Sequence, residues 1–253
     1  MKTNNLSFLL ISIAFFFSAC STPPERIIKY TTSDNCKIEL KDGKFGEAKL
    51  VSNKFNKKEQ CFWAKFDSEL KVIGKEAFKN CKTILSVTIP QNVTSIKEGA
   101  FAGCSSLKSV KIPNSITSFE DYCFENCTNL KDIKIPKRVK SIGKEAFAHC
   151  ESLVEFTIPS SITSIEGYCF VGCSRLRSII IPEGVTSIGN GAFMMCTGLM
   201  DVKIPNSVIN IGAHAFEDCK NLNHVYVPNS NAVIGEDAFR FDFWGSYLKN
   251  KYR

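Results

Sequence analysis

The chain has 253 residues, a formal charge of +7 and 44% hydrophobic residues, which indicates a globular protein of one or two domains and excludes a disordered chain. The moderate positive charge permits anionic partners but does not require nucleic acid, and we expect no nucleic-acid binding. The unusual counts are 12 cysteines and 20 phenylalanines, and their positions along the chain explain them.

Residues 1–19 are predicted to be a secretory signal peptide. A short basic start precedes an apolar run from Leu6 to Phe17, and small residues follow that run. The run is about a dozen residues long, whereas a membrane-spanning helix needs about 20. A signal peptide is therefore a better interpretation than a transmembrane segment.

The signal segment ends in Phe17-Ser18-Ala19-Cys20, which resembles the bacterial lipobox, although Phe17 stands where the lipobox usually has leucine. The resemblance implies a bacterial source and lipidation of Cys20, because the lipobox cysteine becomes the acylated first residue of the mature protein. Two or more acyl chains give firm attachment. We therefore expect a lipid-anchored protein of the cell envelope, at the outer membrane and exposed at the surface. Residues 20–26 would then be a short stiff tether. The alternative is ordinary cleavage near Ala19.

Residues 27–61 are polar, rich in lysine and outside the repeat that follows, so they are predicted to form an N-terminal cap. Cys36 and Cys61 both lie in this segment, outside the regular cysteine spacing of the repeat. Export permits disulfides, and a small cap gains most from one. Cys36 and Cys61 are therefore the candidate disulfide pair.

A repeat of 23 residues fills residues 62–239 without an insertion. Its register is marked by regularly spaced cysteines, prolines and phenylalanines. The cysteines are Cys81, Cys104, Cys127, Cys150, Cys173, Cys196 and Cys219, and the phenylalanines are Phe78, Phe101, Phe124, Phe147, Phe170, Phe193, Phe216 and Phe239. A fixed period of this length is the signature of a solenoid, in which each unit covers the apolar side of its neighbour.

One unit opens with Leu-x-x-Val-x-Ile at residues 107–112, which predicts a strand whose alternate residues point inward, leaving Ser109 and Lys111 outward. Pro113 ends the strand because it has no N–H to donate. The Ala-Phe-x-x-Cys piece is expected to turn the chain back in a single helical or 3₁₀ turn. The predicted fold class is a leucine-rich-repeat solenoid, mainly parallel β, with short turns or 3₁₀ helices on the convex side.

Stacking of the units on one another is expected about 4.8 Å apart. The phenylalanines would then form one column, in which each ring contributes roughly 1.5–3 kcal/mol by burial. The ends of a solenoid need caps. Residues 240–253, which are rich in aromatic side chains, are predicted to be the C-terminal cap.

The unit resembles the BspA-type leucine-rich repeat of bacterial surface lipoproteins, and residues 178–189, Ser-Ile-Ile-Ile-Pro-Glu-Gly-Val-Thr-Ser-Ile-Gly, match that pattern closely. The resemblance covers about 180 residues and is specific for fold. It implies adhesion and the binding of host extracellular proteins such as fibronectin and fibrinogen.

The cysteines are interpreted as packing residues. Cys123/Cys127 and Cys169/Cys173 have a spacing compatible with zinc. However, Cys123 and Cys169 stand where other repeats have alanine, as expected of a small core position. We therefore expect neither a metal nor a cofactor.

Catalytic residues are not expected either. His149, His214 and His224 are isolated along the sequence, and there is no phosphate-binding glycine loop or nucleophile elbow. We therefore expect a binding protein rather than an enzyme.

The outward positions of the repeats are the candidate ligand-binding surface, because in repeat proteins the variable positions bind. The candidates combine clustered cations with two apolar side chains. They are Lys108, Lys111, Lys131, Lys134, Lys137, Arg138, Lys140, Ile180 and Tyr226. The alternative is a basic face that merely interacts with solvent.

Two functions remain open. The first is adhesion or macromolecular recognition at the bacterial surface, with a protein or an acidic or sulfated glycan as ligand. The second is a structural or accessory lipoprotein of an envelope or periplasmic assembly. The segment after Cys20 lacks the acidic run that accompanies surface export in some bacteria, which weakens the first.

Overall fold

The computed structural model describes residues 25–41 and 43–240, most of which form a parallel β-solenoid with about 23 residues in each turn. The predicted repeat solenoid is confirmed. We call each complete circuit of about 23 residues a rung. The predicted signal peptide, Cys20, the start of the tether and nearly all of the C-terminal cap lie outside the described residues. Within the described part of the chain, no helix is long and apolar enough to span a membrane.

The N-terminal end is closed by three antiparallel strands, β1 (Ile27–Thr32), β2 (Leu50–Asn56) and β3 (Cys61–Phe66). Strand β1 lies between β3 and the first longer strand of the solenoid. Tyr30 in β1 pairs with Val87 in that longer strand. Tyr30 and Phe66 are almost completely buried beneath this end of the core. The antiparallel part therefore extends through Phe66, beyond the boundary predicted at residue 61.

The disulfide predicted between Cys36 and Cys61 is not formed in the structure, where both thiols are free. Cys61 is buried in β3, whereas Cys36 is exposed in the loop after β1. The Cys36 amide donates to the Asp34 carboxylate, and the Cys36 carbonyl accepts from the Thr32 hydroxyl, so this loop is held by its own hydrogen bonds.

The rungs carry two series of strands, one of up to five residues that we call the longer strands and one of two residues that we call the shorter strands. The longer strands are β5 (Ile84–Thr88), β7 (Ser109–Lys111), β9 (Asp132–Ile133), β11 (Glu155–Thr157), β13 (Ser178–Ile180), β15 (Asp201–Lys203) and β17 (His224–Tyr226). The shorter strands are β4 (Val72–Ile73), β6 (Ser95–Ile96), β8 (Ser118–Phe119), β10 (Ser141–Ile142), β12 (Ser164–Ile165), β14 (Ser187–Ile188), β16 (Asn210–Ile211) and β18 (Val233–Ile234). Neighbouring rungs pair in parallel, so equivalent residues stand side by side. We call the side formed by the longer strands the strand face.

The third side of each rung, which we call the turn face, is a turn and not the helical or 3₁₀ segment that the sequence suggested. Each turn that is described in full has two residues with positive φ, such as Glu145 at 54° and His149 at 55°, and this left-handed conformation interrupts a helix. Between them, amide groups alternate in direction. Ala148 N–H bonds within the turn to Glu145 O, whereas Phe147 N–H bonds to Cys169 O on the next rung. Hydrogen bonds along the stack thus replace those of a helix.

The predicted phenylalanine column is confirmed. Eight rings, from Phe78 to Phe239, stack face to face with centroids 4.9–5.7 Å apart and planes within 11° of parallel. The widest step, 5.7 Å, separates Phe147 from Phe170. This column lies directly behind the turn face and runs the length of the core.

Both strand ladders break at this widest step. The longer strands divide between β9 and β11, and the shorter strands divide between β10 and β12. Phe156 occupies the position that is Ile133 and Ile179 in the neighbouring rungs. Its ring lies 4.9 Å from Phe147 and 4.7 Å from Phe170, so it makes edge contacts with both of these stacked rings. We call this interruption of the two sheets the seam.

Candidate functional site

The strand face alternates buried and exposed side chains, as a strand with one buried face requires. In β7, Val110 is buried while Ser109 and Lys111 are exposed, and β11, β13 and β15 follow the same pattern. The outward orientation predicted for Ser109 and Lys111 is therefore confirmed. This face presents a fixed array of variable side chains to solvent.

The structure brings the predicted cations together on two adjacent rungs. This basic patch consists of Lys108, Lys111, Lys131, Lys134, Lys137, Arg138 and Lys140, all of which are exposed. Lys111 and Lys134 lie on the strand face. Lys137 and Arg138 follow the buried Pro136 at the corner, and Lys140 lies just before β10. The patch therefore extends from the strand face around one edge of the solenoid.

None of these seven cations forms an ion pair with any residue that the structure describes. Lysines on or beside the turn face behave differently. Lys97 Nζ lies 2.6 Å from Glu120 Oε1, and Lys75 Nζ lies 2.9 Å from Glu98 Oε1, in both cases on the next rung. The charge of the basic patch is thus left for an external partner or for solvent.

A groove of about 390 Å³ opens on the strand face beside the seam. Its walls combine one carboxylate with apolar and hydroxyl side chains: Glu155, Phe156, Thr157, Ile158, Ser160, Ser178, Ile180 and Pro182. Ile180 is 71% exposed at its rim, and Tyr226, two rungs further along the same row, is 63% exposed. The sequence identified both exposed side chains but missed the groove. The available signal was Phe156, the one phenylalanine in a column of valine and isoleucine.

The ladder cysteines point inward at the turn, as predicted, and act as hydrogen-bond donors. From Cys104 to Cys219, six thiols donate to the carbonyl of the phenylalanine on the preceding rung, at 3.0–3.3 Å. Burial raises the pKa of the Cys173 and Cys219 thiols to about 12. Cys123 and Cys169 are buried in the core, where burial raises their pKa values well above normal. Protonated thiols of this kind hold neighbouring rungs together.

Two of the three histidines, His149 and His214, lie on the turn face. His149 and His214 both have positive φ and are half-buried rather than fully solvated. The His149 ring lies over Gly172 on the next rung, where a Cβ atom would come within 2.5 Å of Nδ1. His214 Nδ1 lies 2.9 Å from Glu217 Oε2 in the same turn. In the described residues, no group of three or more histidine, cysteine or acidic side chains could hold a metal ion.

Comparison with known proteins agrees with this architecture. The family model of the BspA type leucine rich repeat region matches residues 48–176 and 117–242, with six copies. No curated protein matches the chain.

Solved structures of three bacterial leucine-rich repeat proteins resemble the chain. A Treponema pallidum protein is 27% identical over 62% of this chain and 73% of its own, with a TM-score of 0.58. A Eubacterium ventriosum protein is 26% identical over 72% of this chain and 50% of its own, with a TM-score of 0.59. A Bacteroides ovatus protein is 26% identical over 73% of this chain and 58% of its own, with a TM-score of 0.51. The chain thus spans only about half of the last two.

Proposed function

The chain belongs to the BspA-type leucine-rich repeat family, and from that membership and the basic patch we propose that it is a non-enzymatic recognition protein of the bacterial cell surface that binds an acidic macromolecule. Leucine-rich repeat proteins generally bind proteins, and members of this family are bacterial surface proteins. The observation that carries the proposal is the set of seven exposed cations, unpaired within the described residues, on two adjacent rungs.

The electrostatics of the patch favour binding over a role in folding. Like charges on neighbouring rungs repel one another, and exposed charges in water contribute little to stability. A cluster of this kind attracts an acidic partner and speeds its association, and salt screens the attraction over about 10 Å at 0.1 M. Binding should therefore weaken as the salt concentration rises.

The test is a triple charge reversal, Lys111→Glu, Lys134→Glu and Arg138→Glu. Wild-type and variant proteins are used to capture partners, and the affinity for each partner that is recovered is then measured at low and moderate salt. We expect weaker binding and a shallower salt dependence for the variant, together with an unchanged melting curve. Equal affinity and equal salt dependence would identify the patch as a face that only interacts with solvent.

Membrane attachment is the second part of the proposal, and Phe17-Ser18-Ala19-Cys20 supports it. An acylated Cys20 would hold the solenoid at the outer membrane, with residues 20–26 as the tether. Cys20→Ala should move the protein from the membrane fraction to the soluble fraction. Retention of this variant in membranes would contradict lipidation at Cys20.

An accessory role inside an envelope assembly is the second candidate. The segment after Cys20, Ser-Thr-Pro-Pro-Glu-Arg, contains no acidic run. Protease treatment of intact cells separates the two candidates, because only a surface-exposed solenoid would be cleaved without disruption of the outer membrane.

A further inference from the structure

A single row of outward side chains crosses the strand face and changes character at the groove. The row takes one residue from each rung: Thr88, Lys111, Lys134, Thr157, Ile180, Lys203 and Tyr226. Lys134 and Lys203 stand on either side of the groove, and Ile180 stands at its rim. Neither lysine is paired with a carboxylate that the structure describes. The row therefore offers a cation, an apolar surface and a second cation in sequence.

A second outward row lies beside the first and carries exposed carboxylates. Asp132, Glu155 and Asp201 occupy it. A uniform polyanion such as a sulfated glycan would also place negative charge over the groove, where Glu155 and Ile180 offer it no cation. A peptide that combines acidic and apolar side chains complements both the charge pattern and the groove.

We propose that this part of the strand face binds an extended peptide in which an apolar side chain lies between two carboxylates, in the order acidic–x–apolar–x–acidic. The peptide runs across the strands, parallel to the solenoid axis. Its carboxylates pair with Lys134 and Lys203, and its apolar side chain enters the groove beside Ile180. The inference rests on the proposed recognition function and names the chemistry of its ligand.

The spacing of the row matches this ligand. Two paired steps of about 4.8 Å and the unpaired step at the seam, where the stacked phenylalanine rings are 5.7 Å apart, place Lys134 and Lys203 about 15 Å apart. An extended peptide rises about 3.3 Å per residue and presents alternate side chains on one face, so its first and fifth residues are about 13 Å apart. The third residue then lies midway, above the groove between Thr157 and Ile180. Both carboxylates and the apolar side chain therefore face the protein together.

The test uses fluorescence anisotropy of the labelled peptide Asp-Thr-Leu-Thr-Asp with the full-length protein in mild detergent. The matched variant is Ile180→Lys, because the row already carries lysine at three positions and the fold accommodates it there. We expect the variant to bind the peptide roughly tenfold more weakly, a loss of about 1.4 kcal/mol, although it gains a positive charge. Heparin, a polyanion, should bind the variant as tightly as wild type or more tightly.

A second peptide, Asp-Leu-Thr-Thr-Asp, has the same composition but moves leucine to the opposite face of an extended chain. It should bind wild type more weakly than the first peptide. Equal binding of the two peptides, or undiminished binding of the first to Ile180→Lys, would show attraction by charge alone and overturn the inference. The charge-reversed triple variant separates this failure from that of the proposed function. If the variant loses its captured partner while the peptide test fails, only the peptide inference is wrong.

Discussion

On the turn face, backbone hydrogen bonds run from rung to rung without a break between Glu76 and Arg240, whereas both strand ladders stop at the seam. At that step Phe147 and His149 still donate to Cys169 and Val171 on the next rung, at 2.9 and 2.7 Å. The phenylalanine rings and cysteine thiols beside the turn also continue across it. Continuity of the solenoid therefore depends on the turn face, which leaves the strand face free to vary.

The two faces also differ in how they hold charge. Turn-face lysines contact glutamates on the next rung, as Lys97 contacts Glu120. The basic patch has no such partners among the described residues, although it lies on the same rungs. Charged side chains on the turn face therefore pair with one another, whereas those of the basic patch are available to a ligand. Three changes would break or sharpen this comparison.

The largest effect is expected from Phe147→Ala. Phe147 is completely buried and contacts the rings of Phe124, Phe156 and Phe170. Truncation of a core phenylalanine costs about 3–5 kcal/mol, and here it removes a ring at the step where the sheets contribute least. Chemical denaturation should show that loss in the free energy of unfolding.

Cys196→Ser is the control for Phe147→Ala, because it lies outside the rung of Phe147 and a hydroxyl can still donate to Phe170 O, which the thiol reaches at 3.1 Å. Its cost should be the smaller of the two. Comparable losses, or a Phe147→Ala variant as stable as wild type, would contradict the central role of the phenylalanine column.

An intermediate effect is expected at alkaline pH. Burial raises the pKa of Cys173 and Cys219 from 9.0 to about 12, so the folded state keeps these protons while the unfolded chain releases them. Their contribution to stability is therefore complete below pH 9.0 and is lost as the pH rises toward 12. Each buried thiol lowers stability by up to about 1.4 kcal/mol per pH unit in this window. Thermal melts under reducing conditions would measure the slope.

The matched control is the double variant Cys123→Ala and Cys169→Ala, since other rungs carry alanine at this buried position. Its stability should fall less steeply above pH 9, because burial raises the pKa of both missing thiols. Lysine and tyrosine titration is common to both proteins and cancels in the comparison. Parallel slopes would show that these thiols do not resist ionisation in the fold.

The sequence predicts the regular parts of this molecule better than the exceptions. A period of 23 residues places the eight phenylalanines of the column and the ladder cysteines, because identical residues must stack when rungs pair in parallel. The turn was less predictable, since residues as different as Glu145 and His149 adopt positive φ only because the neighbouring rung supplies hydrogen-bond partners. The groove depends on Phe156 contacting rings of two different rungs, which a single repeat does not reveal.

The smallest effects on stability are expected from replacing one lysine on each face. Lys97→Ala removes the ion pair with Glu120, in which both side chains are about 40% exposed, so the loss should be only about 0.2–1 kcal/mol and should disappear at high salt. Lys134→Ala removes no ion pair that the structure describes and relieves repulsion within the basic patch, so stability should stay equal or rise slightly. Since 1 kcal/mol shifts the melting temperature of a protein of this size by about 2–4 °C, Lys97→Ala should lower that temperature by at most a few degrees, and Lys134→Ala should leave it unchanged or raise it slightly. Binding of the partner should depend on the other lysine: Lys134→Ala should bind more weakly than wild type, and Lys97→Ala should bind as well as wild type. Equal destabilisation by both variants would mean that the strand-face lysines also stabilise the fold. The distinction between an ion-paired turn face and a ligand-binding strand face would then be wrong.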